Sequence, residues 1–258
     1  MKKIICMALA LIMALGMVGM FASCSEEDGD KKEVLVMATN ANFPPYEYKD
    51  GELFAGIDVE LAQAIATKLD MELDIQDVEF GSIIAGVESG KYDMGMAGMT
   101  VTEDRKKQVN FSTSYATGVQ VVIVKEDSAI KSLDDITISS KIGVQQDTTG
   151  DIYASDTVEN GGWGEEAVTR YKNGADAVQA LLTDKLDCVI IDQEPAKSFV
   201  AANTGLKILE TAYTNEDYAI AVGKNNTELL EKINKALDEL KQDGTIDKIV
   251  SKYIPANQ

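Results

Sequence analysis

One short segment combines backbone, hydroxyl and guanidinium groups that suit recognition of a carboxylate. It runs from Ala97 to Arg105 and directly follows a predicted strand. Gly98 and Thr100 offer backbone groups and a hydroxyl, and Arg105 can reach back to form two parallel hydrogen bonds with a carboxylate. Arg105 is one of only two arginines among 24 basic residues. A surface arginine that follows a helix cap is the alternative interpretation.

A second candidate group carries the opposite charge. Asp192 ends the apolar run Cys188–Ile191 and is followed by Gln193, Glu194 and Pro195. A carboxylate at the end of a buried strand could hold an ammonium group. A helix N-cap is the alternative, because aspartate is common there and proline is common in the first helical turn.

A polar loop and two aromatic residues complete the set of candidates. Residues 143–150 form a strand that runs into a loop at a predicted helix start, where backbone amides attract anions. The loop lacks the glycine and lysine spacing of a P-loop, so it does not predict nucleotide binding. Phe43 follows one predicted strand and Phe80 ends another, so their rings could flank a small solute and exclude water. Each ring also fits a core position.

The composition excludes several classes of function. The chain of 258 residues contains no histidine, the commonest general base and the commonest ligand for transition metals. We therefore expect no metal site, no cofactor and no histidine-dependent hydrolase triad. The formal net charge of −19 repels nucleic acid and anionic lipid, so neither is an expected partner.

The elements that must position these groups alternate between strand and helix. Apolar residues recur at helical spacing between positions 61 and 69, between 230 and 240, and from 246 to 253. Strand-like patterns occupy residues 33–41, 73–80, 92–99, 118–125, 141–145, 186–191 and 218–222. The alternation predicts the α/β fold class.

An internal repeat predicts two similar lobes. A helix, a turn and a Lys-x-Asp triplet that opens a strand occur at residues 91–93 and again at 185–187, 94 positions later. At the ends of the two strands, Gly98 then corresponds to Asp192. Because ligands bind outside the carboxyl ends of strands in open α/β sheets, two such lobes would form a cleft between them.

The first residues predict export and lipid attachment. Two lysines precede an apolar run over residues 4–21, and small residues lead to Cys24. The segment resembles a bacterial lipobox, so residues 1–23 are predicted to be a signal peptide, with lipid on Cys24 and a polar tether over 24–33. An ordinary secreted protein or a retained membrane helix is the alternative. Cys188 is then the one remaining cysteine, expected to be buried and inert.

Several short segments occur in an order that matches a known family. They are Asn42–Glu47, Gly56–Leu61, Ala97–Arg105, Val109–Ser112, Gly143–Gly150 and Asp243–Thr245. Together they resemble the family 3 solute-binding proteins, which serve ABC importers of polar amino acids. The resemblance extends from about Val34 to the C-terminus.

The resemblance implies the type II periplasmic-binding-protein fold. Two α/β lobes would be joined by two hinge crossings, with the ligand cleft between the lobes. Lobe 1 would comprise residues 34–116 and 217–258, and lobe 2 residues 119–214. A ligand that touches both lobes would close the hinge, and the importer would recognise the closed form.

The resemblance also implies a role for each candidate residue. Arg105 would bind the α-carboxylate of the ligand, helped by backbone amides near Thr100 and Thr149. Asp192 would bind the α-ammonium group, helped by the carbonyl of Gly98 and the hydroxyl of Thr100.

The side chain of the ligand would lie between two rings. Phe43 and Phe80 would flank it, and Asn40 and Gln145 would lie near its tip. Many relatives carry aspartate where this chain has Asn40, so a neutral polar ligand is favoured over a strongly cationic one.

By resemblance the protein is a monomeric binding protein and not an enzyme. It would be lipid-anchored on the outer face of the cytoplasmic membrane or in the periplasm, and would deliver a polar amino acid to an ABC permease. The alternatives are an amino-acid sensor with the same fold and an enzyme like cyclohexadienyl dehydratase, with a glutamate near residues 192–194 as the acid. Residues 157–166 match no motif of the family.

Overall fold

The computed structural model describes residues 32–209 and 212–255. The predicted signal peptide, Cys24 and the predicted tether up to residue 31 lie outside these residues. Within the two described ranges, no helix is both long enough and apolar enough to cross a bilayer.

Strands and helices alternate along the described chain. The strands are β1 (Val34–Thr39), β2 (Asn42–Phe43), β3 (Glu47–Asp50), β4 (Leu53–Ala55), β5 (Glu72–Asp77), β6 (Met94–Gly95), β7 (Val109–Phe111), β8 (Ala116–Lys125), β9 (Ile142–Gln145), β10 (Val168–Tyr171), β11 (Cys188–Asp192), β12 (Leu206–Ile208), β13 (Thr214–Tyr218) and β14 (Ala221–Gly223). The α-helices are α1 (Ile57–Lys68), α2 (Ile83–Glu88), α3 (Glu103–Gln108), α4 (Thr149–Ser155), α5 (Gly174–Leu182), α6 (Gln193–Ala202), α7 (Thr227–Gln242) and α8 (Thr245–Tyr253).

The strands form two large sheets with the same arrangement. The first sheet has the order β5-β1-β6-β14-β7, and the second has the order β10-β9-β11-β8-β12, with β13 added beside β8. In each sheet three parallel strands are followed by one antiparallel strand. A third, small sheet joins β2, β3 and β4.

Helices cover both faces of the second sheet, so its central strands bury apolar side chains on both faces. Val121 and Ile123 of β8 belong to a core cluster that includes α5 and α6. Val122 and Val124 face the other way and belong to a cluster with Ala154 of α4. Alternate side chains thus point into two different cores, as expected for a sheet buried on both sides.

The Lys-x-Asp repeat has the same structural role in both sheets. The N–H of Val36 donates to Asp93 Oδ2 at 2.8 Å, and the N–H of Lys141 donates to Asp187 Oδ2 at 2.7 Å. In return, the N–H of each aspartate donates to the carbonyl of the same partner. Each aspartate therefore ties the start of one strand to its neighbour.

The chain passes between the two sheets twice. It leaves the first sheet after β7 and returns between β13 and β14, and β8 pairs with β13 from Ala116↔Tyr218 to Gln120↔Thr214. The prediction of one strand over residues 218–222 was wrong. Tyr218 ends β13 and Ala221 begins β14, because these strands belong to different sheets and the chain must turn between them.

The segment at residues 157–166 packs beside the second sheet. Trp163 Nε1 donates to the carbonyl of Ile136 at 2.9 Å, and its ring lies 5.4 Å from that of Tyr213. Trp163 is partly buried against the cluster that includes Ala154. The segment therefore has a packing role in the structure.

We expect Asp93→Ala to destabilise the fold by about 1–2 kcal/mol, because it leaves the backbone N–H of Val36 without its acceptor. Asp187→Ala should have a smaller effect, since water can reach this exposed position. Urea unfolding measures both values, with Asp127→Ala in an exposed turn as the control. Equal stability of Asp93→Ala and the control would contradict this role.

Candidate ligand-binding site

A small cavity lies where strand ends of the two large sheets meet. All nine residues predicted to bind a ligand line it. Asn40, Gly98 and Thr100 lie in segments that follow strands β1 and β6 of the first sheet, and Gln145 and Asp192 end strands of the second. Glu47, Ala97 and Thr148 complete the lining. Their roles in binding stay predictions, but the structure brings them together.

Helix α3 directs Arg105 into this cavity. Thr102 caps the helix by accepting from the N–H of Arg105 at 3.2 Å, and the side chain then folds back over the helix start. Its Nη1 donates to the carbonyl of Thr100 at 2.8 Å, and its Nη2 donates to that of Asp147, from the second sheet, at 3.0 Å. The guanidinium carbon lies 5.2 Å from the centre of the Phe80 ring.

Arg105 is not the surface residue of the alternative interpretation. Only 8% of it is exposed, and burial lowers the pKa of its guanidinium, opposed by nearby acidic groups. A guanidinium has five N–H donors, so the two carbonyl contacts leave donors for a carboxylate in the cavity.

Asp192 is fixed by residues of the two strands that connect the sheets. It is the N-cap residue of α6, the position that the alternative interpretation gave it, but its side chain makes no capping hydrogen bond. Instead Gln120 Nε2 donates to Oδ2 at 2.8 Å, and the hydroxyl of Tyr218 donates to Oδ1. Burial, and next the nearby Glu216, raise the pKa of Asp192 well above its usual range, and Arg105 opposes them.

Aromatic rings and a glycine shape the first side of the cavity. Phe80 does not end a strand as predicted but begins the 3₁₀ turn Phe80–Ser82, because β5 stops at Asp77. Gly98 has a φ of +49°, and a Cβ there would lie 2.9 Å from the ring of Phe43. A larger residue at position 98 would therefore displace this ring.

Two amide side chains meet across the cavity. Gln145 Nε2 donates to Asn40 Oδ1 at 3.0 Å, and Asn40 Nδ2 donates to the carbonyl of Val78 at 2.7 Å. Thr149 begins α4, and its hydroxyl oxygen lies 3.4 Å from Gln120 Nε2. Asn40 and Gln145, which were predicted to lie near the tip of the ligand side chain, thus form a hydrogen bond between the two lobes.

Glu47 is a cavity residue that was not predicted from the sequence. Glu47 begins β3, is only 1% exposed and lines the cavity, yet its Oε2 has no hydrogen-bond partner in the described part of the chain. Burial and the adjacent, hydrogen-bonded Asp58 raise the pKa of Glu47 well above its usual range. The sequence feature that could have indicated this site residue is the position of an acidic side chain between two aromatic residues, Tyr46 and Tyr48.

Asp58 lies behind Glu47 and holds the backbone of the site. Its Oδ2 accepts from the N–H of Gly98 and from the hydroxyl of Tyr115, both at 2.8 Å. Burial raises the pKa of Asp58 to about 6 despite these hydrogen bonds. Two carboxyl groups in contact away from water cannot both ionise readily, so they tend to share a proton.

Comparison with known proteins identifies the family of this chain. The model of the bacterial extracellular solute-binding proteins, family 3, matches residues 35–256. The chain belongs to that family. The arginine-binding extracellular protein ArtP of Bacillus subtilis is 32% identical to this family member over 255 residues, which cover 98% of each chain.

Solved structures of similar proteins have the same fold. An ancestral arginine-binding protein bound to arginine is 40% identical, with a TM-score of 0.80 over 87% of this solute-binding protein and 99% of that chain. The structure of an ancestral arginine-binding protein bound to glutamine has a TM-score of 0.79 at 40% identity, over 86% and 98% of the chains. The predicted type II periplasmic-binding-protein fold, with two α/β lobes and a cleft between them, is confirmed. The exact lobe boundaries stay a prediction.

These proteins are binding proteins rather than enzymes by their descriptions. Within the described residues, no cluster of acidic, cysteine or histidine side chains could hold a metal ion. Cys188 is buried, and burial raises the pKa of its thiol to about 12, so it is an unreactive core residue.

We expect Glu47→Gln to stabilise the empty protein at neutral pH. A carboxyl group whose pKa is higher in the folded state, as that of Glu47 is, stabilises that state while protonated. This contribution is lost as the pH rises from the unfolded pKa of about 4 through the raised folded pKa. An amide cannot ionise, so the variant does not lose this stability as the pH rises. The melting temperature of Glu47→Gln minus that of wild type should therefore increase by about 2–4 °C between about pH 4 and about pH 7.

Thermal unfolding at several pH values measures this difference. Glu231→Gln, which removes a carboxylate from the exposed face of α7, is the matched control and should give no such trend. The same pH trend in both variants would show that Glu47 ionises without cost in the cavity.

Proposed function

We propose that this protein captures a basic amino acid outside the cytoplasm and passes it to the permease of an ABC importer. Arginine is the first candidate. The protein acts as a monomer, and lipid on Cys24 holds it at the outer face of the membrane. It binds its ligand without chemical conversion and without a cofactor.

The unpartnered Oε2 atom of Glu47, buried in the cavity lining, is the observation that carries the choice of a basic ligand. Among the described residues that line the cavity, Arg105 is the one cationic group, whereas Glu47 and Asp192 are acids. Asp58 and Glu216 are buried directly behind them. The α-carboxylate and α-ammonium groups of any amino acid cancel each other in charge, so they do not compensate the excess of acidic groups in the cavity. A cationic side chain on the ligand supplies the missing positive charge.

This proposal reverses the preference drawn from Asn40. That residue alone favours a neutral ligand, but Glu47 supplies a carboxylate in the same cavity. The likeness to ArtP and to an ancestral arginine-binding protein supports the choice of arginine. The glutamine complex of an ancestral arginine-binding protein makes glutamine the appropriate neutral comparison.

Contacts between the lobes support capture by hinge closure. Arg105 Nη2 reaches the carbonyl of Asp147, and Gln145 Nε2 reaches Asn40. Near the rim, Lys172 Nζ lies 2.9 Å from Glu79 Oε1. A ligand between these groups would add contacts that exist only in the closed form, so it would shift the population toward that form.

Two alternatives are tested directly. A dehydratase would form product from prephenate or arogenate, and we expect the purified protein to form none. A sensor would bind the same amino acid without stimulating an importer, so ATPase activity of the reconstituted importer with and without the protein separates the two functions.

A thermal-shift screen against the twenty common amino acids tests the proposed ligand class. A ligand that binds only the folded state raises the melting temperature, and we expect L-arginine to give the largest shift. Arg105→Ala should lose the shift, because an uncompensated α-carboxylate lowers affinity by at least about 30-fold. Lys106→Ala removes an exposed cation beside it and is the control. No shift with any amino acid would reject the function.

We expect Glu47→Gln to discriminate between ligands. It should weaken L-arginine binding by about tenfold or more, because a guanidinium loses a charged acceptor, and should change L-glutamine binding little. Isothermal titration with both ligands measures the ratio. An equal loss for both would place Glu47 in the scaffold and not in side-chain recognition.

A further inference from the structure

A group of three buried side chains lies behind Asp192 and belongs to the strands that connect the lobes. Gln120 is on β8, and Glu216 and Tyr218 are on β13. In the register of these strands Glu216 is opposite Gly118 and Tyr218 is opposite Ala116, so the three side chains share one face of the ribbon. None of the three lines the cavity.

Gln120 connects two carboxylates through one nitrogen atom. Its Nε2 donates to Asp192 Oδ2 at 2.8 Å and to Glu216 Oε2 at 3.0 Å. Thr100 Oγ1 also donates to Glu216 Oε2, at 3.0 Å. The orientation of the Gln120 amide is fixed, because the opposite orientation would place its oxygen against both carboxylates.

Gly118 has no side chain, and this leaves room for Tyr218 to reach the carboxylate of Asp192. A Cβ at Gly118 would lie 2.2 Å from the hydroxyl of Tyr218, which donates to Asp192 Oδ1. A hydroxyl can accept as well as donate, so this contact also accommodates a proton on Asp192. Asp192 therefore has a partner on each oxygen in either protonation state.

The charges around Asp192 do not balance. Arg105 is the cation that faces it, and Glu216 and Glu47 are the acidic groups, with the phenols of Tyr46 and Tyr218 nearby. The hydroxyl of Tyr153 interacts with Glu216, but a neutral phenol adds no positive charge. Asp192 is 7% exposed and Glu216 is 6% exposed. Glu216 Oε1 has no close hydrogen-bond partner in the described chain. One more positive charge is required at this point, and a proton is the smallest that can supply it.

The pairing of the two acids does not depend on the position of the other lobe. Asp192 on β11 is directly opposite Gln120 on β8, and β8 is paired with β13, which carries Glu216. These strands are neighbours in one sheet, so opening the cleft leaves Asp192, Gln120 and Glu216 in contact. Opening changes mainly their access to water.

We propose that Asp192, with the carboxylate of Glu216 beside it, retains one proton in the empty protein, and that the ammonium group of the incoming amino acid displaces this proton to solvent. Asp192 is then ionised in the complex, where it accepts hydrogen bonds from the ammonium group. Glu216 is a positioning residue that acts through Asp192. The inference rests on the proposed amino-acid ligand and adds that capture and proton release are coupled.

The coupling predicts how affinity depends on pH. Burial and the neighbouring Glu216 raise the pKa of Asp192 in the empty site, and a bound ammonium group lowers it again. Affinity should therefore rise with pH, by up to about tenfold per pH unit, wherever Asp192 is protonated before binding and ionised after it. An acidified exterior would release the ligand.

Titration calorimetry with L-arginine in buffers of different ionisation enthalpy counts the protons. At matched pH, between about pH 5 and about pH 8, the slope of the observed enthalpy against the buffer ionisation enthalpy gives the number released. We expect release approaching about one proton at the acidic end of the range. Binding with no proton release at any pH would overturn the inference while leaving the proposed function intact, whereas no binding at all would reject that function.

Glu216→Gln separates this role from a purely structural one. The variant retains an acceptor for Gln120 and Thr100 but removes the second negative charge, so it should release fewer protons and show a weaker pH dependence of affinity. Glu231→Gln, on an exposed helix face, should release as many protons as wild type. Unchanged release in Glu216→Gln would overturn the role of Glu216. If this variant fails to fold, the proton count of the wild type decides the inference.

Discussion

A charge that is removed from water has to be matched by groups that are already fixed in place. In this protein the requirement falls first on the guanidinium of Arg105. One carbonyl from each lobe holds it, from Thr100 and from Asp147. The N-cap of α3 and the end of β9 therefore have to be placed correctly in relation to each other. This arrangement holds the two lobes together around the cavity, and it leaves some N–H donors of Arg105 unused.

The two lobes use one scaffold for two different purposes. Asp93 and Asp187 tie equivalent strands together with nearly identical hydrogen bonds, so the backbone around the cleft is similar on both sides. At the corresponding strand ends, however, one lobe has Gly98 and the other has Asp192. The glycine allows the ring of Phe43 to approach, and the aspartate supplies a buried charge. A binding site with two unlike sides thus arises from a repeated fold.

The predictions from sequence succeeded where a residue type and a strand end coincide. Arg105 was identified as one of two arginines, in a segment that directly follows a predicted strand, and Asp192 was identified at the end of an apolar run. The α/β class followed from alternation of the two periodicities. The burial of Glu47 was not predictable in this way, because it depends on the small sheet of β2, β3 and β4, which has no clear strand pattern. Gln120 was visible as a polar residue in an apolar strand. Its role requires the pairing of β8 with β13, and sequence spacing does not reveal that pairing.

The position of Trp163 affects how this protein can be observed. It is the one tryptophan of the sequence, and it packs beside the second sheet through Ile136 and Tyr213 rather than in the cavity. Its emission therefore reports the environment of that edge of one lobe. A bound amino acid cannot quench it by direct contact. Any change in Trp163 fluorescence on binding of a solute would have to be transmitted through the packing between α4 and the aromatic cluster. The fluorescence of the indole therefore reports whether this lobe is folded rather than whether the cavity is occupied.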